Sequence, residues 1–576
     1  MKYMKKIALF FIISSIVFIT PSARAQNIPP GQEPAAQAAR FQAESERKAR
    51  ELEKKKGKAP DVEIEEEKEA PPVEKEMRFV LKEVKVTGAK KFEASFFLPA
   101  YQSYLYKEVT FKDLSDIADR IKAEYKRKGY LTTVVFIPEQ NIVDGVVEIR
   151  VAEGEFGKLK IEGNKYFGSN LIKKYIHSKK NEILDLYVLQ KDILRLNQNP
   201  DLQVKTVVSA GEEPDTSDVT MKVDDKFPFH AGASFDNQGT RLTGKDRTSV
   251  SVRHTNLTGH NDSVFANIQF TRSSSGEFVS YLLPADTLGS IIGLNFTYFE
   301  MKLGEEFKSF DITGKTLIFT PHVSRELYLS EDIQANVDIG LDIKSITKKT
   351  GTQTTADDQL RLPYLDFDFS ETDGFGGGGQ TSFSPKFIFG TSGFLGASKR
   401  GHPTTSRSGT GGAFFVYEHS ISRVQRMPFE SYMSIRSQFQ AGSTSLPSSE
   451  QFQLGGANSV RGYPEGDYVA DWGANLTFDW VFPMYLIPKE YKLPRSETPL
   501  RNQIQPVAFM DLGGGGLKKP LTGESKEKFL MGLGGGLKIS LYNKLSARLE
   551  WAKDVGDKPT SGSGASTFYV TIQGEI

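Results

Sequence analysis

Beyond Asp225, hydrophobic and polar positions alternate one by one for some 350 residues. In the stretch from Ile333 to Lys344, Ile333, Ala335, Val337, Ile339, Leu341 and Ile343 share one parity, and Gln334, Asn336, Asp338, Asp342 and Lys344 share the other. A period of two places these sets on opposite faces of a strand. The stretches VFANIQFT, LNFTYF, YMSIRSQFQAG, NLTFDWVFP and LSARLEWAK repeat the pattern. One apolar face backed by a polar, charged face is what a transmembrane barrel with a hydrated lumen requires. Sixteen such segments, the first starting near residue 228 and the last near 568, fill 227–576. An even number closes an antiparallel barrel and leaves no open edge. After residue 25 no uninterrupted apolar run reaches 18 residues, so the pattern predicts no membrane-spanning helix.

Upstream of the barrel the pattern changes to short strands and amphipathic helices, and it repeats. KEVKVTGAKKF (Lys82 to Phe92) and GKLKIEGNKYF (Gly157 to Phe167) align at an offset of 75 residues, with Lys85/Lys160, Gly88/Gly163, Lys90/Lys165 and Phe92/Phe167 identical. Each begins with an alternating strand that stops at a glycine turn. In the first copy, helical FEASFFLPAYQSYL and FKDLSDIADRIKAEYKRKG precede strands at Leu131 to Pro138 and Gly145 to Gly154. In the second, SNLIKKYIHSK and YVLQKDILRLNQNP precede LQVKTVVSAG and SDVTMKVDD. Further upstream, QEPAAQAARFQAESERKARELEKKK (32–56) predicts one polar helix with little apolar surface beyond Phe41 and Leu52, suited to water or a hydrated lumen. The prolines and acidic run of 57–76 predict an extended, mobile linker.

Compartment and chemistry follow from composition. MKYMKK, the apolar IALFFIISSIVFIT and the small-x-small Ala23-Arg24-Ala25 predict an exported chain whose signal peptide ends at Ala25. The 73 basic and 72 acidic residues balance, which gives no case for nucleic acid. Zero cysteine excludes disulfides, thiolate chemistry and cysteine-type zinc sites. Gly239 to Asp246 has phosphate-loop spacing but ends in Asp where magnesium needs Ser or Thr, and reads as a hairpin turn. Gly374 to Gly379 lacks the following helix that a dinucleotide needs. With no HExxH or G-x-S-x-G motif either, no enzyme activity, cofactor or metal is expected.

The longest connection in the barrel, 443–473, separates the eleventh and twelfth strands and carries Val460, Arg461, Gly462 and Tyr463. Two segments later comes FMDLG. Ala508, Met510 and Leu512 form its apolar face, so Phe509 and Asp511 point into the lumen. An ionised carboxylate there calls for a cation.

The β-α-α-β-β repeats resemble POTRA domains, the periplasmic modules of outer-membrane secretion and assembly proteins. With a 16-stranded barrel, VRGY in its sixth extracellular loop and Phe509-x-Asp511-x-Gly513 on strand 13, the chain resembles the two-partner secretion transporters. These form the TpsB family, haemolysin and haemagglutinin secretion/activation proteins, within the superfamily that includes BamA. The resemblance implies a signal peptide at 1–25, a plug-like helix at 26–56, an acidic linker at 57–77, POTRA units at 78–154 and 155–226, and a barrel at 227–576. It also implies a loop folded inward so that Arg461 meets Asp511. Arginine's planar fork suits a carboxylate bidentately. Gly462, like Gly455 and Gly456, lets the chain turn tightly. Tyr463 is expected to lie on the wall with a wet hydroxyl, and a hydrated lumen to leave the ion pair at intermediate strength. The implied function is an outer-membrane pore of a Gram-negative bacterium that secretes an unfolded partner polypeptide recognised by periplasmic POTRA edges. The implied partners are that polypeptide, outer-membrane lipid and, during biogenesis, the barrel-assembly machinery. A BamA-like assembly and insertion factor is the rival reading, and a diffusion porin would need no POTRA repeats.

Overall fold

The computed structural model describes residues 28–53, 62–64, 78–542, 544–560 and 566–576. The signal-peptide reading and most of the acidic linker lie outside the described residues. Sixteen antiparallel strands form a closed barrel, from Phe229–Asp236 to Thr567–Glu575. The first and last strands pair from Gly232↔Glu575 to Asp236↔Thr571, which closes the sheet. The alternation read from the sequence holds through the wall: in Ile333–Thr350, Ile339 is 62% exposed toward lipid while Asp342 and Lys344 are buried. The eighth strand, whose apolar pattern starts near 364, begins earlier, in Gln353–Asp373. Crossing the hydrocarbon takes only about 9–11 residues. Beyond it the ladder to Ile333–Thr350 specifies the strand, so apolar alternation no longer marks its start.

Each repeat folds as a small sheet covered by two helices. In the first, Val146–Ala152 is central, parallel to Glu83–Thr87 and antiparallel to Val134–Phe136. The helices are Ala94–Tyr101 and Phe111–Arg127, the second started by a reciprocal cap between Thr110 and Asp113. In the second, Thr216–Asp225 is central between Glu155–Glu162 and Leu202–Ala210. The strand expected over Leu131 to Pro138 shrinks to Val134–Phe136. A shared device explains the repeated Gly-x-Lys turn. Glu153 accepts the backbone N–H groups of Lys90 and Lys91, each at 3.0 Å, and Asp225 accepts those of Lys165, Tyr166 and Phe167 at 2.7–3.0 Å. Both carboxylates are buried, and each holds the turn that leads to its first helix.

Three residues of the linker are described. Val62–Ile64 adds to the second sheet as a parallel edge strand, Val62↔Thr206 to Ile64↔Val208. A three-residue strand is too short to show in a sequence pattern rich in Pro and Glu.

The second unit is bolted to the barrel rim. His177 reaches Thr287 in the turn 285–289 at 3.0 Å, and Arg195 donates to Glu326 at 2.8 Å. Asp201 takes His230 at 2.8 Å and the Thr255 hydroxyl at 2.7 Å. Burial holds the Asp192 carboxyl above its ordinary range, although His177 hydrogen-bonds to it. These contacts define the periplasmic rim, where even strands hand over to odd ones.

Helix α1 (Pro34–Glu53) threads the barrel. Its partners sit on opposite walls: Glu33 takes Lys348 at 2.9 Å, Glu44 takes Arg247 at 2.9 Å, Arg50 lies 3.5 Å from Asp366, and the Leu52 carbonyl takes Arg253 at 2.9 Å. Twenty residues at 1.5 Å each span about 30 Å, the depth of the hydrocarbon core. Phe41, one of the two apolar residues noted in this polar helix, is buried with Phe265, Phe278 and Phe299 on the inner wall. Gly276 makes room for it, since a Cβ there would lie 2.7 Å from the Phe41 ring.

The turn device is testable. Asp225→Ala removes the acceptor for three amides and is predicted to cost the second POTRA unit about 3 kcal/mol. Hydrogen exchange on the full chain checks this: amides 165–167 exchange faster in the variant, and the barrel amides keep their rates.

Candidate functional site

The connection between the eleventh strand, Tyr432–Gly442, and the twelfth, Trp472–Val481, runs over 443–471. It leaves the rim opposite the POTRA units and folds back into the lumen. Its stem is a short hairpin, Phe452–Leu454 against Tyr468–Ala470, and its tip carries VRGY. The glycines expected to turn the chain do so with φ near +100° at Gly455, Gly456 and Gly462. At Gly462 both demands meet, because a Cβ would also lie 2.8 Å from the backbone of Lys553 and Asp554.

Arg461 is 1% exposed, among the largest fully buried side chains in the protein. Its Nε and Nη2 donate to the two oxygens of Asp511, both at 2.7 Å, and its own backbone N–H donates to Oδ2 at 3.0 Å. Nη2 also donates to Asp479 Oδ1 at 2.6 Å, and Nη1 to Glu550 Oε1 at 3.1 Å. The guanidinium lies over the Phe509 ring, 3.5 Å from its centroid. One cation is therefore held by three carboxylates from the twelfth, thirteenth (Ile504–Gly516) and fifteenth (Leu545–Asp554) strands. Asp479 has additional cations near it, with Arg548 at 3.2 Å, Arg436 at 3.4 Å and Lys538 at 3.8 Å, so the acids are not left in excess.

The other motif residues fix the same tip. Val460 is buried with Leu454, Tyr468, Leu517 and Leu530. Gly513 gives it space: a Cβ on Gly513 would lie 2.6 Å from Val460 Cγ2. The Gly462 N–H donates to the Tyr569 hydroxyl at 3.1 Å, which in turn donates to the Tyr463 carbonyl at 3.3 Å. The Tyr463 hydroxyl, expected to be wet, is instead buried and accepts the Gly556 N–H at 3.1 Å. The intermediate strength expected for the ion pair is likewise replaced by a dry one, because loop and wall exclude water between them. All seven residues singled out in the sequence, Val460, Arg461, Gly462, Tyr463, Phe509, Asp511 and Gly513, thus converge. Asp479, Glu550, Tyr569 and Gly532 join them unanticipated; Gly532 lets the Arg461 carbonyl approach to where its Cβ would be. Asp479 and Glu550 carried a usable signal, as acids of lumen parity on the predicted strands NLTFDWVFP and LSARLEWAK.

Helix α1 is tied to the same loop. Arg40 donates to Gln453 Oε1 at 2.7 Å and lies 3.8 Å from Glu465. Gln453 donates back to the Ala36 carbonyl at 2.7 Å, and Asn458 bridges Arg47 and Glu44, each at 3.1 Å. Among the described residues no group of three or more His, Asp or Glu is arranged to hold a metal ion.

Known proteins resemble this chain in sequence and in fold. The family model "Haemolysin secretion/activation protein ShlB/FhaC/HecB" matches residues 215–539, and that of the ShlB-type POTRA domain matches 79–154. The heme/hemopexin transporter protein HuxB of Haemophilus influenzae is 24% identical over 487 residues, 82% of each chain. The solved structure of CdiB from Escherichia coli superposes with a TM-score of 0.72 at 18% identity, covering 96% of this chain and all of that one. BamA from Haemophilus ducreyi lacking POTRA domains 1–3 gives 0.51 at 13% identity, covering 86% of this chain and all of that one. The barrel sits in the outer membrane of a Gram-negative bacterium, with its POTRA units in the periplasm. The family's members are transporters rather than enzymes. This chain belongs to the ShlB/FhaC/HecB family of haemolysin secretion/activation proteins, which are outer-membrane transporters.

Proposed function

We propose that this transporter is a passive conduit that captures one exported polypeptide in the periplasm and passes it, unfolded, to the cell surface. The observation that carries this reading is the joint occupation of the lumen by helix α1 and loop 443–471, bound to each other through Arg40, Gln453 and Asn458. A pore filled by movable elements suits regulated passage of a chain and does not suit free diffusion of solutes. It also weighs against the BamA-like assembly role, which needs no stopper in the lumen.

Capture is assigned to the sheet edges. Val134–Phe136 is an edge strand of the first POTRA unit with Val134 and Phe136 exposed beside its unpaired backbone. Such an edge accepts an extended segment by strand addition. The equivalent edge of the second unit, Leu202–Ala210, carries Val62–Ile64, so a segment docking there would exchange with the linker. Passage then requires helix α1 to leave and the loop to yield. The latch is Arg461 with Asp511, supported by Val460, Gly462, Tyr463, Phe509 and Gly513. With no nucleotide motif in the chain, net movement is assigned to folding of the client outside, which prevents its return.

Two experiments test the reading. Removing the Arg461 cation takes the guanidinium from the buried Asp511 carboxylate, a loss of about 3–5 kcal/mol to the inward loop. Arg461→Ala is predicted to reduce secretion to background while the barrel remains in the membrane with normal heat-modifiable migration. Arg461→Lys, which keeps the charge but not the fork, restores only part. Normal secretion by Arg461→Ala would remove the loop from the mechanism. Separately, deleting residues 26–76 is predicted to raise ion conductance in planar bilayers, and an unchanged current would show that α1 is no plug.

A further inference from the structure

The periplasmic rim carries a feature to which the proposed function assigns no role. The connection between the twelfth and thirteenth strands, 482–503, is 22 residues long, whereas turns on this side of such barrels are ordinarily short. It is internally bonded: the Phe482 N–H donates to the Pro506 carbonyl at 3.0 Å, Met484 to Arg501 at 2.8 Å and Leu500 to Tyr491 at 2.8 Å. It is also fastened to the neighbouring turn 427–431, between the tenth and eleventh strands. There Glu430 pairs with Arg501 and, at 3.1 Å, with Lys489, and the Tyr485 hydroxyl donates to the Phe429 carbonyl.

This platform exposes large apolar side chains. Leu486 is 91% exposed and Phe429 is 85% exposed, with Tyr485 beside them. Phe429 and Glu430 have φ of 61° and 57°, a region that glycine and asparagine ordinarily fill in a two-residue turn. A Phe held there and pointed away from protein needs an apolar partner to make its placement favourable. The lipid-facing wall supplies the direction. Trp480 is exposed at the periplasmic end of the twelfth strand, and the ring of Phe482, the first residue of the connection, lies 4.9 Å from it. Aromatic residues at the end of a membrane wall mark the headgroup level. The platform has four basic and two acidic residues over 482–503, and Glu430 takes two of the basic ones, leaving near balance. This matches a zwitterionic interface better than an acidic protein surface.

We propose that Phe429, Tyr485 and Leu486 form an interfacial anchor seated in the phospholipid leaflet on the periplasmic side of the outer membrane, holding that flank of the barrel against the bilayer. This is independent of how the client is carried. The test uses the full chain in vesicles of phosphatidylethanolamine and phosphatidylglycerol, with or without bromine on the upper acyl chain. The three native tryptophans, Trp472, Trp480 and Trp551, are replaced by Phe, and Leu486→Trp or, in a second protein, Phe429→Trp supplies the only indole. The expected result for both reporters is loss of emission in brominated vesicles together with protection from iodide. Quenching by iodide without quenching by bromolipid would place the platform in water and overturn the proposal. Protection from both would place it against protein and overturn it equally.

Discussion

A guanidinium buried among carboxylates is a contact that cannot be loosened gradually. Arg461 spends its Nε and both Nη groups on Asp511, Asp479 and Glu550, and its π face on Phe509, with almost no water in reach. Withdrawing it takes the guanidinium from Asp511 in a dry site, where a cation or water must replace it. The nearby Arg436, Lys538 and Arg548 bear on this point. They already face Asp479, so they supply part of the compensation the wall would need once the loop had left.

The remaining architecture links that local contact to the other elements in the lumen. The loop stem and tip grip helix α1, which in turn bridges walls on opposite sides of the lumen. Helix α1 is joined by the linker to a strand that sits on the second POTRA sheet. That sheet is fixed to the barrel rim through His177, Arg195 and Asp201. A disturbance at a POTRA edge therefore has a continuous covalent and hydrogen-bonded route to the stopper.

Much of this was legible in the sequence because a membrane wall imposes a strict period of two. Parity alone put Asp511 and Phe509 inside, and the sixteen-strand count followed from the same rule. The repeat at an offset of 75 was readable from Lys90/Lys165, whose turns are held by Glu153 and Asp225. What the pattern could not supply was everything fixed by contact rather than period. The dryness of the Arg461 site arises from loop, wall and Tyr569 closing together, so Tyr463 was expected to be wet. Phe41 looked like a stray apolar residue because its partners, Phe265, Phe278 and Phe299, are brought in from three different strands. The strand Val62–Ile64 is specified by the edge it joins and not by its own composition. The 482–503 platform carried no motif, only length.

The central claim is that the Arg461 charge keeps the loop tip in the lumen at rest. The chain has no native cysteine, so spin labels at Asn458→Cys on the tip and Leu533→Cys on the outer wall report one distance in the membrane. The account predicts a single narrow distribution in the parent protein and a longer, broad one once Arg461 is replaced by Ala. Identical distributions in the two proteins would mean that other contacts hold the tip, and would contradict the account.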